Sequence, residues 1–159
     1  MKKLKYYLDT SVFNFALSNR PGEELMISAT KNLFEMINQD VLEGYFSELV
    51  MEEINKAPEL KMKALVGLVH AVKLDSLEIT TEIEALADRY VSEGIIPKKH
   101  KDDAVHIALA SVYELDAIVS WNFEHMIKTK TKKGVISVNG LMGYRAVDII
   151  SPLEVDYNV

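Results

Sequence analysis

The sequence predicts an α/β protein built on a mostly parallel sheet. Three observations carry this expectation. Short apolar runs at Leu4–Leu8, Leu42–Phe46 and Ala117–Ser120 have the length of strands. Between them lie longer segments whose apolar residues recur at helical spacing, and that alternation makes βαβ units with right-handed crossovers. The chain has 159 residues, 48% of them apolar. One domain spanning 1–159 is therefore expected, able to bury roughly 70% of its unfolded surface.

Each element follows from local chemistry. After the first strand, Val12–Leu17 reads as a short helical turn that Pro21-Gly22 ends. Leu25, Met26, Ala29, Leu33, Phe34 and Ile37 define a helix over Glu23–Asn38. Leu42–Phe46 is the second strand. Ser47 stands at an N-cap position before a helix reaching Asn55, and Pro58 starts another reaching Val72. Leu77–Thr80 reads as a brief strand. Thr81 caps a helix over Glu82–Ser92 that Gly94 ends. After Pro97, Asp102 or a neighbour opens a helix to Glu114. Ala117–Ser120 is a strand, Asn122–Lys128 a short helix, and Val135–Val138 and Val147–Ile150 are late strands.

Composition narrows the function classes. Cysteine is absent, which excludes disulfides and thiolate metal sites. No run approaches the roughly 18 apolar residues of a membrane span. Lys2, Lys3 and Lys5 precede an apolar stretch too short for a signal-peptide core, so a cytoplasmic protein is expected. The net charge of −6 disfavours broad nucleic-acid binding. The cations are nevertheless clustered, at Lys98-Lys99-His100-Lys101 and at Lys128, Lys130, Lys132 and Lys133. These are either two solvated patches or phosphate contacts.

The acids carry the chemistry. Asp9 ends the first strand, Glu53 lies on the helix after the second, and Asp102 and Asp103 open the helix that precedes Ala117–Ser120. Asn122 follows that strand by two residues. In a parallel sheet all of these fall at the edge formed by strand C-termini and helix N-termini, where open α/β sheets bind ligands. Carboxylates brought together repel by roughly 4 kcal/mol at 4 Å and an effective dielectric of 20, so such a cluster needs a cation or raised pKa values. Oxygen donors without cysteine favour Mg²⁺ or Mn²⁺. Each acid also has a plainer reading: a helix dipole favours Asp102 or Asp103, solvated helix charge accounts for Glu53, and Thr10 or Ser11 caps the next helix. His106 shares a helix face with Asp103 and reads as a packed or hydrogen-bonded core residue. Trp121 is either core or a surface on which a base stacks.

Four stretches in this order resemble a PIN domain, the ribonuclease fold of VapC-type toxins. They are Tyr7-Leu8-Asp9-Thr10-Ser11-Val12, Ser47-Glu48-Leu49-Val50-Met51-Glu52-Glu53-Ile54, Asp102-Asp103-Ala104-Val105-His106-Ile107-Ala108-Leu109-Ala110 and Ile118-Val119-Ser120-Trp121-Asn122-Phe123. The tail Gly143–Pro152 also looks like the end of some VapC-like chains. The resemblance implies an α/β/α sandwich and metal-dependent hydrolysis of RNA phosphodiesters. It assigns the acids to Asp9, Glu53 and Asp103, with a supporting hydroxyl at Ser11 or, second, Thr10. The family's fourth acid falls on Asn122, an amide that can ligate an ion without adding charge, which implies one ion or a weakly held second. Lys98, Lys99, Lys101 and Lys128 would contact phosphates. A small antitoxin partner and a homodimer are further implications of the family. Met26, Met36, Met62, Leu65 and Leu68 are either core or the lining of a groove for a partner helix.

Two other readings fit parts of the pattern. A phosphatase of the haloacid dehalogenase type also uses an Asp after strand one with a small polar residue two places on, as Asp9 and Ser11 provide. Its later acids follow a strand, whereas Asp102-Asp103 follow the polar loop Pro97–Lys101. A non-catalytic PIN-like module that binds RNA or protein would account for Asn122.

Overall fold

The structure, a computed structural model, describes residues 2–155. The first residue of the expected domain and its last four lie outside the described residues. Five strands form one sheet in the order β3–β2–β1–β4–β5. They are β1 (Lys5–Leu8), β2 (Glu43–Ser47), β3 (Leu74–Leu77), β4 (Ala117–Val119) and β5 (Asp148–Ile150). Every neighbouring pair is parallel, with Tyr7 opposite Tyr45 on one side and Ile118 on the other. The helices are α1 (Thr10–Ala16), α2 (Glu24–Asn38), α3 (Glu48–Ile54), α4 (Glu59–Ala71), α5 (Thr81–Ser92), α6 (Lys101–Val112) and α7 (Thr129–Met142). Helix α1 packs on α2, α3 and α4, whereas α5 packs on α6 and α7. Two helical layers thus enclose the sheet, as the α/β/α expectation requires.

The topology places the site. The chain moves outward from β1 through β2 to β3, then returns to the other side of β1 for β4 and β5. The direction of travel reverses at β1, and the crevice beyond the C-terminal ends of β1 and β4 is the switch point where such sheets bind ligands. Both strands are apolar because they are covered on both faces. Tyr7, Leu8, Ile118 and Val119 are fully buried.

Several boundaries move, each for an identifiable reason. The third strand is β3, Leu74–Leu77, rather than Leu77–Thr80. As an edge strand it carries exposed Asp75 and Ser76, which hid it from a search for apolar runs. The cap of α5 is Thr80, whose hydroxyl accepts from Ile83 N, so Thr81 is already helical. Asp9 rather than Thr10 or Ser11 caps α1, accepting from Ser11 N. Ser47 is at the cap position of α3, but its hydroxyl makes no capping bond and turns to Tyr7. The segment Asn122–Lys128 is turns rather than helix, folded around Asn122 Oδ1, which accepts from His125 N.

The largest difference is Val135–Val138, which lies inside α7 and is not a strand. The buried positions of α7 are Thr131, Val135, Val138 and Asn139, a helical spacing. Two of the four are polar, so the stripe was invisible to an apolar pattern and only its β-branched middle stood out. Asn139 is satisfied there by Tyr90, Ser111 and the carbonyl of Arg145.

Trp121 is core: it is buried, and its Nε1 donates to Thr30 Oγ1 at 2.9 Å. Leu65 is also core, while Met36, Met62 and Leu68 pack against it partly buried. Gly44 shows how tightly β2 is held. A Cβ at that position would lie 2.6 Å from Leu74 Cδ2 and 2.7 Å from Ile37 Cδ1, and Ile37 is itself buried. Overpacking of this kind costs about 1–3 kcal/mol. Gly44→Val is therefore expected to lower the urea midpoint by that amount of stability, and an unchanged midpoint would contradict the packing described.

Candidate functional site

Asp9 is the residue that β1 delivers to the crevice. It is 4% exposed and heavily bonded. Its Oδ1 accepts from Ser11 N at 3.1 Å and from Ser11 Oγ at 2.5 Å. Its Oδ2 accepts from Ser120 Oγ at 2.5 Å, across the switch point from the end of β4. Burial raises the Asp9 pKa, with His106 and the two serine hydroxyls opposing that rise.

Asp103 stands in the first turn of α6, and Asn122 Nδ2 donates to its Oδ2 at 3.1 Å. Its pKa is also raised, first by burial and then, against the opposing charge of His106, by the charge of Asp9. Glu53, on α3, is held differently. Thr10 Oγ1 donates to its Oε1 at 2.9 Å, and His106 Nε2 lies 2.6 Å from the same oxygen. Burial opposes ionisation of Glu53, but the hydrogen bond and charge of His106 outweigh it and lower the pKa.

His106 is the buried, hydrogen-bonded residue that its place on the helix suggests, and one of its partners is Glu53. Burial opposes its charge, and the bond to Glu53 with the charges of Asp9, Glu53 and Asp103 outweighs that, so its pKa is raised. Behind it, Tyr7 Oη is 2.7 Å from His106 Nδ1 and 2.7 Å from Ser47 Oγ. Ser120 was missed by sequence reasoning. Its position at the end of β4 is the signal that singled out Asp9, applied to a hydroxyl instead of an acid.

These shifts set a pH dependence. The folded pKa of His106 is raised, so its contribution to stability is complete below about pH 6.5 and is lost as pH climbs through the folded value. Asp9 and Asp103, also raised, act in the same sense at lower pH: stability falls as pH passes upward from their unfolded value of about 3.9. Without divalent ions, the melting temperature is expected to fall between pH 6 and pH 8. Scanning calorimetry in EDTA checks this, and His106→Gln should flatten that part of the profile.

The lysines are not equivalent. Lys98 and Lys99 are exposed on a 3-10 turn, Lys98–His100, and Lys128 is exposed at the start of α7. His100 stacks on His125 with ring centres 3.9 Å apart, joining that turn to the loop after β4. Lys101 instead pairs with Asp88 at 2.7 Å and borders a cleft of about 350 Å³ that Glu48, Glu52, Glu84 and Asp102 also line.

The donor set suits a hard divalent cation: carboxylates, an amide and hydroxyls, with no thiol. It is not a closed cage. Among the described residues no three His, Asp or Glu side chains converge on one ion position. Asn122 joins Asp103, and Glu53 is drawn to His106 and Thr10. Both hydrogen bonds to Glu53 fall on Oε1, which leaves Oε2 as the oxygen able to turn toward an ion.

No family model matches the chain, and no curated protein matches its sequence. Solved structures do. The chain is similar to VapBC2 from Rickettsia felis, solved bound to a DNA fragment from its promoter. Identity is 11% and the TM-score 0.56, covering 93% of this chain and 98% of that one. It is also similar to VapC20 of Mycobacterium tuberculosis, a toxin that cleaves the sarcin-ricin loop. There identity is 11% and the TM-score 0.58, over 76% of this chain and 92% of that one. The fold is thus PIN-like, the fold these toxins share.

Proposed function

We propose that this chain is a Mg²⁺- or Mn²⁺-dependent endoribonuclease, the toxin of a toxin–antitoxin pair. The observation that carries the reading is the pair Asp9 and Asp103 at the switch point. Both are pulled toward the neutral form by burial, and Asp103 further by the charge of Asp9. A divalent cation beside them would favour the charged form of both. The PIN-like fold and its presence in VapC20 and VapBC2 support the substrate class and the partner.

In this reading Asp9 and Asp103 hold the ion, with Glu53 and the Asn122 amide as further ligands. A divalent ion at this place supplies a water of lowered pKa and charge stabilisation for the phosphate. The chain's own residues do the rest. Ser11 and Ser120 fix both oxygens of Asp9, so the carboxylate has one orientation. Asn122 holds one oxygen of Asp103, Oδ2. Lys98, Lys99 and Lys128 hold backbone phosphates near the rim. Dimerisation and a small antitoxin belong to the same proposal.

The test is cleavage of RNA with Mn²⁺ or Mg²⁺ by the wild type, Asp9→Asn and Asp103→Asn, purified identically. Cleavage by the wild type alone is the expected result; equal cleavage by all three would sink the assignment. A non-catalytic module is the second reading, favoured by the open arrangement of the acids. It predicts RNA binding without cleavage under any divalent ion.

A further inference from the structure

We infer that His106, backed by Tyr7, is a positioning residue for Glu53: it fixes which Glu53 oxygen can reach an ion at the Asp9–Asp103 pair. The inference rests on the metal-site reading above and adds a residue that reading does not use.

The geometry is a chain of four groups, three of them buried and the last, Glu53, half-buried. Ser47 Oγ, Tyr7 Oη, His106 and Glu53 Oε1 follow one another at 2.7, 2.7 and 2.6 Å. Glu53 is ionised and can only accept, so His106 Nε2 carries the hydrogen and donates it. The imidazole cannot swing away, because Tyr7 is fully buried in β1 and holds Nδ1. Tyr7 itself is locked by Ser47 at the end of β2. Two central strands therefore set the angle of the imidazole, and the imidazole sets Glu53. Thr10 adds a second donor to the same Oε1 from α1. With Oε1 doubly occupied, Oε2 is the Glu53 oxygen left without a hydrogen bond and open to an ion.

Glu53 needs this support because its own backbone does not supply it. It is near the end of α3, a seven-residue helix, and its carboxyl is separated from the backbone by two methylenes. A freely rotating Glu would lose side-chain entropy on meeting an ion; one already held loses little. Donors of this kind behind a ligand carboxylate are worth 10- to 100-fold in metal affinity.

The test is calorimetric titration with Mn²⁺ alone, on the full chain, with no activity readout. His106→Leu, confirmed folded by circular dichroism, is expected to weaken Mn²⁺ binding 10- to 100-fold. Glu53→Gln should weaken it as well. The double variant should be no weaker than the poorer single one, because His106 acts through Glu53. His106→Gln, which keeps an N–H donor, should recover part of the loss, and Tyr7→Phe should show a smaller loss. If His106→Leu does not fold, His106→Gln and Tyr7→Phe each combined with Glu53→Gln complete the same cycle. Unchanged affinity in folded His106 variants, or losses that add to that of Glu53→Gln, would overturn the positioning role alone. Absence of Mn²⁺ binding by the wild type would overturn the metal-site reading and this role with it.

Discussion

Asp9→Asn is expected to leave the protein folded, raise its metal-free stability and reduce divalent-ion-dependent RNA cleavage by about 10²–10³-fold or more, the scale for losing a central electrostatic group. The two effects have one cause. In the metal-free protein the Asp9 carboxylate is buried and disfavoured in its charged form, so a neutral amide of the same shape relieves a penalty. The surrounding hydroxyls adapt, since Ser11 and Ser120 can each donate or accept. In the loaded protein the same charge is what holds the ion. Mn²⁺ at one hundred times its Kd should stabilise the wild type by about 2.7 kcal/mol. For a chain of this length that raises the melting temperature by roughly 5–10 °C. Asp9→Asn should show little of that shift. A variant that melts higher without ions and no longer responds to them supports the site; one that responds like the wild type removes Asp9 from it.

Asn122→Asp has the opposite signature. Asn122 Nδ2 donates to Asp103 Oδ2 at 3.1 Å, and its Oδ1 accepts from His125 N at 3.0 Å. A carboxylate keeps the second contact and turns the first into an encounter of two negative oxygens. Metal-free stability at pH 7 is expected to fall by about 1–3 kcal/mol, the cost of a lost partner for a half-buried charged group. The added charge should tighten Mn²⁺ about tenfold or more, which is about 1.4 kcal/mol. Chemical denaturation in EDTA and calorimetric titration measure the two effects separately. A variant that is stabilised without metal, or that binds Mn²⁺ no better, would show that the Asn122 side chain does not face the ion position.

Much of this architecture was legible because it is local. The strand at Leu4–Leu8, the helix over Glu23–Asn38 and the start of α4 after Pro58 each follow from a few neighbouring residues. Asp9 stood out for the same reason, a polar residue directly after a buried strand. The failures were also systematic. Helix α7 hides half of its buried face in Thr131, which bonds the His125 carbonyl in the turn before it, and Asn139, whose partners lie on α5, on α6 and in the loop before β5. The turn after β4 depends on where Asn122 points, which no window of sequence displays.

The sequence by itself determined the alternation of strands and helices, the sheet edge at which Asp9, Glu53, Asp103 and Asn122 gather, and the oxygen-only character of the donors. Only the tertiary structure decided how those acids are occupied. Ser120 reaches Asp9 across 111 residues of chain, and His106 reaches Glu53 across 53. Such pairings depend on the order of β1 and β4 in the sheet and on α6 packing against β1 and β4. Periodicity and capping act within a turn or two of the chain, whereas the partner of a buried charge is chosen by packing between elements far apart in it.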